Sequence, residues 1–241
     1  MTLKSKKQSP SRTVFIGDVH GCLDELLELI AKINVLMRDI APHKIKILFL
    51  GDLIGKGPHP KEVIEWVHHH HHISLLGNHE WSYLMALKDF PDQRTTRYQL
   101  KKHLIPTSKN TPPAVNSLPH YQALKASLGA EGHNFIKSFP LYIDEENFIA
   151  VHGGFHPHFS LAECPPEFIV NVRTIDNKPW HHYYTGKKTV FYGHWAAQGL
   201  LIKKNAIGLD SGCVYGGKLS AYVLETKTLI QVKARRRYVA I

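Results

Sequence analysis

Three short apolar runs, each meeting a glycine and a polar residue at its end, constrain the fold of this chain most strongly. The runs are Thr13–Gly17, Ile45–Leu50 and Ile73–Leu76, and leucine, β-branched and aromatic side chains dominate them. Each run precedes a segment with helical spacing: one from Leu23 with apolar positions at Leu26, Leu27, Ile30, Ile33 and Met37, then Lys61–Val67 and Glu80–Leu87. Strand, loop and helix alternating three times predict an α/β sheet.

The second half of the chain carries more strands and fewer helices. Its strand candidates are Phe148–Val151, Thr189–Tyr192, Ala206–Leu209, Ser220–Leu224 and Leu229–Lys233. Together the two halves predict two packed, mixed β-sheets flanked by helices, in a single domain over residues 13–241. Residues 1–12 are charged, and we interpret them as a flexible N-terminal arm. Residues 89–120 hold five prolines, and we interpret them as an irregular insertion that could form a lid over a site.

The net charge of +10 comes from 30 Lys and Arg against 20 Asp and Glu. Such a surplus favours an anionic partner, above all a phosphate compound such as a nucleotide, or else it only keeps the surface soluble. Nucleic acid fits the charge but is not favoured by any motif. The three cysteines are widely spaced and odd in number, which is typical of a reducing compartment. Without an apolar run of membrane-spanning length, we expect a cytoplasmic protein that does not enter a membrane; its oligomeric state stays open.

Five glycine-flanked polar segments follow predicted strands. They are Gly17–Gly21, Gly51–Asp52, Gly77–Glu80, His152–Gly154 and Gly193–His194. Loops after the carboxyl ends of strands are where open α/β sheets build their sites. Carboxylate, imidazole and amide oxygen form a mixed donor set suited to Mn²⁺, Fe or Zn²⁺. Two metals that act together need a shared carboxylate, and Asp52 is the natural bridge.

The order and spacing of these segments resemble the phosphoprotein-phosphatase family of calcineurin-like metallophosphoesterases. The resemblance covers nearly the whole chain and implies the metallophosphoesterase fold with two divalent metal ions, most simply Mn²⁺, with Fe, Zn²⁺ or Co²⁺ as alternatives. It implies that one metal is held by Asp18, His20 and Asp52. The other is held by Asp52, Asn78, His152 and His194. His79 would be the catalytic general acid that protonates the leaving oxygen.

One motif departs from the protein phosphatases of that family. Their GDxxDRG pattern is replaced by a sequence with Gly55 for the aspartate that orients the catalytic histidine and Lys56 for a phosphate-binding arginine. This variant, together with the runs Tyr192–Trp195 and Gly208–Cys213, resembles the ApaH-like phosphatases, relatives of the symmetrical diadenosine tetraphosphatases. Lys56, Asn78 and Arg173 are then the expected phosphate-binding residues. What orients His79 without the aspartate stays open at this point.

The favoured function is hydrolysis of dinucleoside polyphosphates, such as diadenosine tetraphosphate to two ADP. The first alternative is a Ser/Thr or Tyr phosphoprotein phosphatase, followed by a polyphosphatase or an RNA-cap hydrolase. A non-catalytic module that only binds nucleotide would require a lost ligand, and all six are present. Nearby aromatic residues could stack a nucleobase or belong to the core; they are Trp81, Phe155, Trp180, Tyr183 and Trp195. Of these, Phe155 is expected to be the more exposed.

Overall fold

Two five-stranded sheets organise the part of the chain that the computed structural model describes, residues 11–89, 118–156 and 158–240. The first sheet contains, in spatial order, β12 (Thr228–Lys233), β11 (Lys218–Val223), β1 (Arg12–Ile16), β2 (Ile45–Phe49) and β3 (Ile73–Ser74). The second contains β4 (Tyr142–Asp144), β5 (Phe148–Val151), β8 (Thr189–Tyr192), β10 (Ala206–Gly208) and β9 (Leu201–Ile202). A separate hairpin is formed by β6 (Thr174–Ile175) and β7 (Lys178–Pro179).

Each sheet has a parallel group of three strands with antiparallel partners outside it. In the first sheet β1, β2 and β3 are parallel, while β11 is antiparallel to β1 and to β12. In the second sheet β5, β8 and β10 are parallel, while β4 and β9 are antiparallel edge strands. Both sheets are therefore mixed, which confirms the predicted fold class. Parallel strands bring their carboxyl ends, and the loops that follow, to one edge of a sheet.

Of the five α-helices in the described residues, four pack on the outer face of the first sheet, and the last one packs mainly against the second sheet. In the described ranges they are α1 (Leu23–Leu36), α2 (Pro60–His69), α3 (Asn78–Ala86), α4 (Leu118–Lys137) and α5 (Pro166–Asn171). The periodicity of α1 was expected to bury Leu27, but Leu27 is 43% exposed and Leu29 is buried in its place. The reason is geometric: a helix repeats every 3.6 residues, so Leu26, Leu29 and Ile33 share the inward face and Leu27 turns away from it.

The two sheets pack face to face through large apolar side chains. The rings of Phe15 from β1 and Phe191 from β8 stack with centroids 3.8 Å apart and an interplanar angle of 8°. Phe148 of β5 meets Phe15 edge-on at 4.9 Å. Face-to-face sheets bury such side chains from both inner surfaces. The distance between the sheets is therefore set by aromatic contacts directly beneath the loops that end β1 and β8.

Several predicted boundaries are met and others are not. β5 and β8 have the predicted ends, and β1 begins at Arg12 instead of Thr13. The helix α4 was not predicted, and its first residues, 118–120, had been assigned to the irregular insertion. The rest of that expected insertion, 90–117, and residues 1–10 of the expected arm lie outside the described residues. Within the described residues, no helix is long and apolar enough to cross a membrane.

Candidate metal and phosphate site

The six expected metal ligands lie where strands of both sheets end. Asp18 and His20 follow β1, Asp52 follows β2, Asn78 opens α3 after β3, and His152 and His194 follow β5 and β8. Five of them are buried, and Asn78 is half-buried. The site therefore occupies the line along which the two sheets meet, with four side chains from the first sheet and two from the second.

Asp52 lies between histidines from different sheets. Its Oδ2 is 3.6 Å from Nε2 of His20, and its Oδ1 is 3.4 Å from Nε2 of His152. Nitrogen and oxygen donors of Asp52, His152 and His194 all lie within 4.8 Å of one another. A carboxylate with its two oxygens turned towards two separate sets of imidazoles has the arrangement that a bridging ligand requires.

Backbone carbonyls fix the orientation of the histidine rings. Nδ1 of His152 lies 2.7 Å from the carbonyl oxygen of Leu50, and Nδ1 of His20 lies 3.2 Å from that of Ile54. In each ring a proton on Nδ1 leaves the Nε2 lone pair facing Asp52. A second nitrogen bound in this way orients a metal-ligating histidine and selects its tautomer.

Asn78 and His194, one from each sheet, complete the cluster around His152. Oδ1 of Asn78 lies 3.0 Å from Nε2 of His152 and 2.8 Å from Nδ1 of His194. Nε2 of His194 faces the carbonyl oxygen of Asn171 at 3.0 Å. The amide oxygen of Asn78 is thus directed at the same point as two imidazole nitrogens, which brings these three expected ligands together.

Asp18 lies at the rear of the cluster. Both of its carboxylate oxygens accept hydrogen bonds from the backbone nitrogen of His194, at 3.1 and 3.0 Å. Burial, followed by the neighbouring carboxylate of Asp210, raises the pKa of Asp18 well above its ordinary value. Asp210 is itself buried, and burial raises its pKa to about 6. Both shifts mean that burial opposes the negative charge that these two carboxyl groups carry when they are ionised.

Neighbouring carboxylates also act on the pKa of His152. Burial alone would lower the pKa of this ring, but the carboxylates of Asp52 and Asp18 outweigh it and raise the pKa to about 10. Burial likewise opposes ionisation of Asp52, yet His152 and His79 hold its pKa well below the ordinary value. Carboxylates that attract a proton onto a buried imidazole would equally attract divalent cations. In donor type and in charge, these residues fit a site for two divalent metals.

Three of the expected ligands have left-handed backbone conformations. The φ angles are +48° at His20, +53° at Asp52 and +67° at His194. Such angles cost energy in residues with a Cβ atom and occur mainly where the surrounding structure imposes them. The loops are therefore held in functional geometry by the fold around them.

Glu80 imposes part of that geometry. Its Oε2 accepts hydrogen bonds from the backbone nitrogens of Asp52 and Gly77, both at 3.0 Å, and its Oε1 accepts one from Ile54 at 2.9 Å. The side chain is fully buried, and burial together with Asp52 raises its pKa to about 7 against the effect of these bonds. The sequence placed Glu80 within a motif without assigning it a role. Its structural role is to join the loop after β2 to the start of α3.

His79 lies beside Asp52 and His20 at the mouth of the cluster. Its backbone nitrogen donates a hydrogen bond of 3.0 Å to Oδ1 of Asp52, and its ring meets the ring of His20 edge-on at 4.8 Å. Burial is the main cause that lowers its pKa, and the carboxylate of Asp52 opposes that shift. A ring nitrogen of His79 also lies within 4.8 Å of an Asp52 oxygen, so Asp52 is a carboxylate whose charge acts on this ring.

Gly55 shapes the space next to His79. Its φ is +131°, and a Cβ atom there would lie 2.7 Å from Nδ1 of His79 and 2.8 Å from Nδ1 of His20. Both values are shorter than real Cβ contacts. The glycine that replaces the family aspartate is therefore required by backbone conformation and by space.

A cavity of ≈ 470 Å³ opens in front of these residues. Lys56 and Arg173 line it together with Asp52 and His79, so the expected phosphate-binding cations and the expected catalytic residue face one space. Nε of Arg173 is buried and has no hydrogen-bond partner among the described residues. A guanidinium with an unused donor beside a cavity is suited to an anion.

The aromatic residue in the cavity wall is one that sequence patterns did not indicate. Tyr215 lines the cavity, and its hydroxyl group accepts a hydrogen bond from Nζ of Lys56. By contrast, Phe155 is 5% exposed and Trp180 is fully buried, so the expectation of an exposed Phe155 is wrong. The two rings pack against each other in the core of the second sheet, with centroids 5.2 Å apart.

Comparisons with known proteins identify the family of the chain. A family model described as calcineurin-like phosphoesterase matches residues 11–240. The chain is 27% identical, over 93% of both lengths, to a protein of Oceanobacillus iheyensis named an asymmetrical bis(5'-nucleosyl)-tetraphosphatase. It is also 27% identical to a protein of Methylobacillus flagellatus named a symmetrical bis(5'-nucleosyl)-tetraphosphatase, covering 91% of this chain and 94% of that one.

A solved structure named as a candidate diadenosine tetraphosphatase is similar over nearly the whole chain. It superposes with a TM-score of 0.73 at 25% identity, covering 94% of this chain and 95% of the other. A metallophosphoesterase from Sphaerobacter thermophilus superposes with a TM-score of 0.54 at 17% identity, covering 95% of this chain and 90% of that one, and shows the fold alone.

Proposed function

Because the chain belongs to the calcineurin-like phosphoesterase family, we propose that it hydrolyses dinucleoside polyphosphates, with diadenosine tetraphosphate cleaved to two ADP. Membership makes the chain a metal-dependent hydrolase of phosphate esters or anhydrides. The observation that carries the narrower proposal is the cavity, in which Lys56 and Arg173 face the same space as Asp52 and His79. Relatives named as tetraphosphatases support it over nearly the full length of the chain.

Two divalent metals, in our proposal Mn²⁺, would be held by residues of both sheets. Asp18, His20 and Asp52 would hold one of them, and Asp52, Asn78, His152 and His194 the other. When bound, such ions polarise the phosphate group and lower the pKa of water. The buried carboxylates and the carbonyl-oriented histidines described above support this assignment. Fe, Zn²⁺ and Co²⁺ suit the same donors, so metal preference is part of the test.

Lys56 and Arg173 would neutralise the phosphate chain from the cavity wall, assisted by the amide of Asn78. Arg173 can present its planar fork to two oxygens, whereas Lys56 acts as a point charge that tolerates several oxygen positions. Lys56 is exposed at the cavity mouth and reaches Tyr215. An extended polyanion can therefore meet one cation inside the cavity and another at its mouth.

His79 would act as the general acid. Its ring lines the cavity next to Asp52. Burial lowers the pKa of this ring, and the charge of Asp52 opposes that shift by favouring the protonated imidazole. A protonated ring can transfer its proton to the leaving phosphate oxygen as the bond to phosphorus breaks. We assign His79 this role because its backbone, bonded to Asp52, holds the ring at the edge of the proposed metal cluster.

Product analysis tests the substrate and the position of cleavage together. Purified protein is incubated with diadenosine tetraphosphate and Mn²⁺, Mg²⁺, Co²⁺ or Zn²⁺, and the nucleotides are separated by ion-exchange chromatography. We expect ADP as the single product and the highest rate with Mn²⁺. Equal amounts of ATP and AMP would keep the substrate class but contradict the symmetrical cleavage. The Asp52→Asn variant, prepared in parallel, reveals any contaminating phosphatase.

A substrate panel separates the alternatives. Inorganic polyphosphate belongs in it because the chain is 28% identical to a zinc-dependent endopolyphosphatase of Saccharomyces cerevisiae, over 86% of this chain and 74% of that one. A phosphopeptide, capped RNA and p-nitrophenyl phosphate complete it. A higher kcat/KM on phosphopeptide than on diadenosine tetraphosphate would favour a protein phosphatase. Nucleotide binding without hydrolysis under any metal would favour a binding module.

A further inference from the structure

A second cluster of metal-binding side chains lies apart from the proposed catalytic site. It consists of Cys22, Glu25 and Cys213, whose sulfur and carboxylate oxygen atoms all lie within 4.8 Å of one another. Cys22 and Glu25 are fully buried and Cys213 is 2% exposed. The two cysteines are far apart in sequence, and the fold brings them together because β11, which follows Cys213, pairs with β1, which precedes Cys22.

One carboxylate oxygen of Glu25 accepts hydrogen bonds, and the other has no hydrogen-bond partner among the described residues. Its Oε1 accepts hydrogen bonds of 2.8 Å from the backbone nitrogen of Arg235 and from the hydroxyl group of Tyr238. Its Oε2 is buried and has no hydrogen-bond partner among the described residues. A buried carboxylate oxygen without a partner is costly, and such a group in a native structure calls for an explanation such as a bound ion.

The cysteines supply the complementary donors. The sulfur of Cys213 is hydrogen-bonded to that of Cys22, and this contact together with burial raises the pKa of the Cys213 thiol far above its ordinary value. The Cys213 thiol therefore stays protonated unless a cation replaces its proton. Zn²⁺ is bound by thiolates and carboxylates in tetrahedral sites, and thiolates also bind softer ions such as Cu⁺.

We propose that Cys22, Cys213 and Oε2 of Glu25 bind a zinc-class divalent cation at a structural site separate from the catalytic metals. Binding replaces the two thiol protons, which pass to solvent. The three protein ligands leave one position of a tetrahedral ion open, which a water molecule would fill, whereas structural zinc sites usually have four protein ligands. The ion would give the free oxygen of Glu25 a partner. The hydrogen bonds from Arg235 and Tyr238 to Oε1 would reduce the negative charge that remains on the carboxylate.

Such an ion would connect three segments of the chain. Cys22 directly precedes α1 and follows the loop of Asp18 and His20, whereas Cys213 begins the turn that carries Tyr215 into the cavity wall. Glu25 adds the C-terminal segment through its contacts with Arg235 and Tyr238. The ion would therefore stabilise the fold on the side of the cavity wall that faces the interior, and it would keep these three segments aligned.

Cobalt spectroscopy tests the site independently of activity. The proposed catalytic ligands contain no sulfur, so a thiolate-to-cobalt charge-transfer band in the near ultraviolet can come only from a site with cysteine. The full-length protein is refolded with Co²⁺, because metal binding at a buried site is coupled to folding. We expect the band in the wild-type protein, bleached by an excess of Zn²⁺, together with one more bound ion per chain than in Cys213→Ser.

Matched variants decide the assignment. The band should fall to background in Cys22→Ser and Cys213→Ser and remain in Cys164→Ser, because Cys164 is equally buried but lies in the core of the second sheet. It should also remain in Asp52→Asn, where catalytic metal is lost. Circular dichroism establishes that each variant is folded. If a variant does not fold, the presence or absence of the thiolate-to-cobalt band in the wild-type protein tests the proposal.

Three results would overturn the proposal. One is a refolded wild-type protein without the band whose thiols react as free thiols after denaturation. Another is a band that survives Cys213→Ser. The third is a disulfide between Cys22 and Cys213 in protein purified under reducing conditions, because a disulfide cannot bind the ion.

Discussion

The carboxylate of Glu80 accepts a hydrogen bond of 3.0 Å from the backbone nitrogen of Asp52. The residue proposed to bridge two metals is thus held through its own main chain by a side chain that does not reach the cavity. The same carboxylate binds Ile54 and Gly77, so one buried group fixes the loop after β2 against the start of α3. Geometry at the site depends on this interior contact as much as on the ligands.

Glu80→Gln should therefore lower stability and metal content together. The amide NH₂ of glutamine cannot accept a hydrogen bond, so at least one of the three backbone donors loses its partner, at a cost of about 1–3 kcal/mol. Urea unfolding and metal analysis measure the two effects. Glu131→Gln is the matched control, because the side chain of Glu131 is 82% exposed and its ion pair with His68 is worth little. Equal stability of the two variants would contradict the role assigned to Glu80.

Asp52→Asn should abolish turnover while leaving the fold intact. The asparagine oxygen can still accept the hydrogen bond from the backbone of His79, so the substitution removes charge with little change of shape. Without that charge both proposed metal positions weaken. The amount of bound metal, measured by mass spectrometry, and kcat, measured by steady-state kinetics, should fall in parallel. Near-normal turnover with two metals still bound would rule out the bridging assignment.

His79→Asn should lower kcat by roughly 10²–10⁴-fold and leave the metal content unchanged, since general acid catalysis is worth about that much. The loss should be smaller on p-nitrophenyl phosphate than on an alkyl phosphate ester, because an alkoxide leaving group needs more protonation than nitrophenolate. Equal losses on both substrates would argue against proton donation. Because a ring nitrogen of His79 lies within 4.8 Å of donors from His20 and Asp52, loss of metal would instead identify His79 as a ligand.

Gly55→Ala should reduce activity far more than it reduces stability. The new Cβ would press on the rings of His79 and His20 at 2.7 and 2.8 Å, and alanine tolerates a φ of +131° poorly. Gly199→Ala is the control: its φ is +70°, and its Cβ would meet nothing within 4 Å. Both variants carry backbone strain, but only the first crowds the site. Similar kcat/KM values for the two variants would show that crowding is unimportant.

Asp89 should make the docking of α4 dependent on pH. Its carboxylate contacts Lys137 at 2.5 Å, His133 at 2.7 Å and Lys125 at 3.1 Å, and these hydrogen bonds hold its pKa well below the ordinary value. A depressed pKa contributes stability above the unfolded-state pKa of about 3.9, and that contribution is lost as the pH falls towards the folded-state value.

Asp89→Asn should accordingly lower Tm above about pH 5, with a difference from wild type that shrinks as the pH falls below about 4. Thermal unfolding followed by circular dichroism across that range measures it. Asp39→Asn, at a side chain that is 92% exposed, should show no such trend. A difference in Tm that is constant with pH would mean that the charge of Asp89 is not what stabilises the helix.

The parts of the fold that the sequence predicts are those with local signals. Val14, Ile16, Leu48 and Phe49 lie in continuous apolar runs because their strands are covered on both faces, and such runs are visible without tertiary information. The helix α4 lacks a comparable signal. Gly129 interrupts it with a φ of +68°, and its buried polar residue His133 is hydrogen-bonded to Tyr83 and Asp89, which are distant in sequence.

In the candidate site, too, the sequence predicts the residues that have local signals and misses the others. Residues next to glycine at strand ends, such as Asp52 and His194, are recognisable from sequence because strand, turn and polar side chain are contiguous. Tyr215 is not, since its place in the cavity wall depends on a turn between left-handed Gly212 and Gly216 that carries no chemical motif. The hydrogen bond between Glu25 and Arg235 could not be predicted from the sequence either, because the two residues are more than two hundred positions apart along the chain.

The stacked rings of Phe15 and Phe191 set the distance between two loops that carry proposed metal ligands, although neither ring contacts those ligands. Each belongs to a strand whose following loop carries proposed ligands, and their centroids lie 3.8 Å apart beneath those loops. A thinner side chain at either position would let one half of the ligand set settle towards the other. We therefore expect the separation between the two proposed metal positions to depend on residues of the hydrocarbon interior that a search for catalytic groups would pass over.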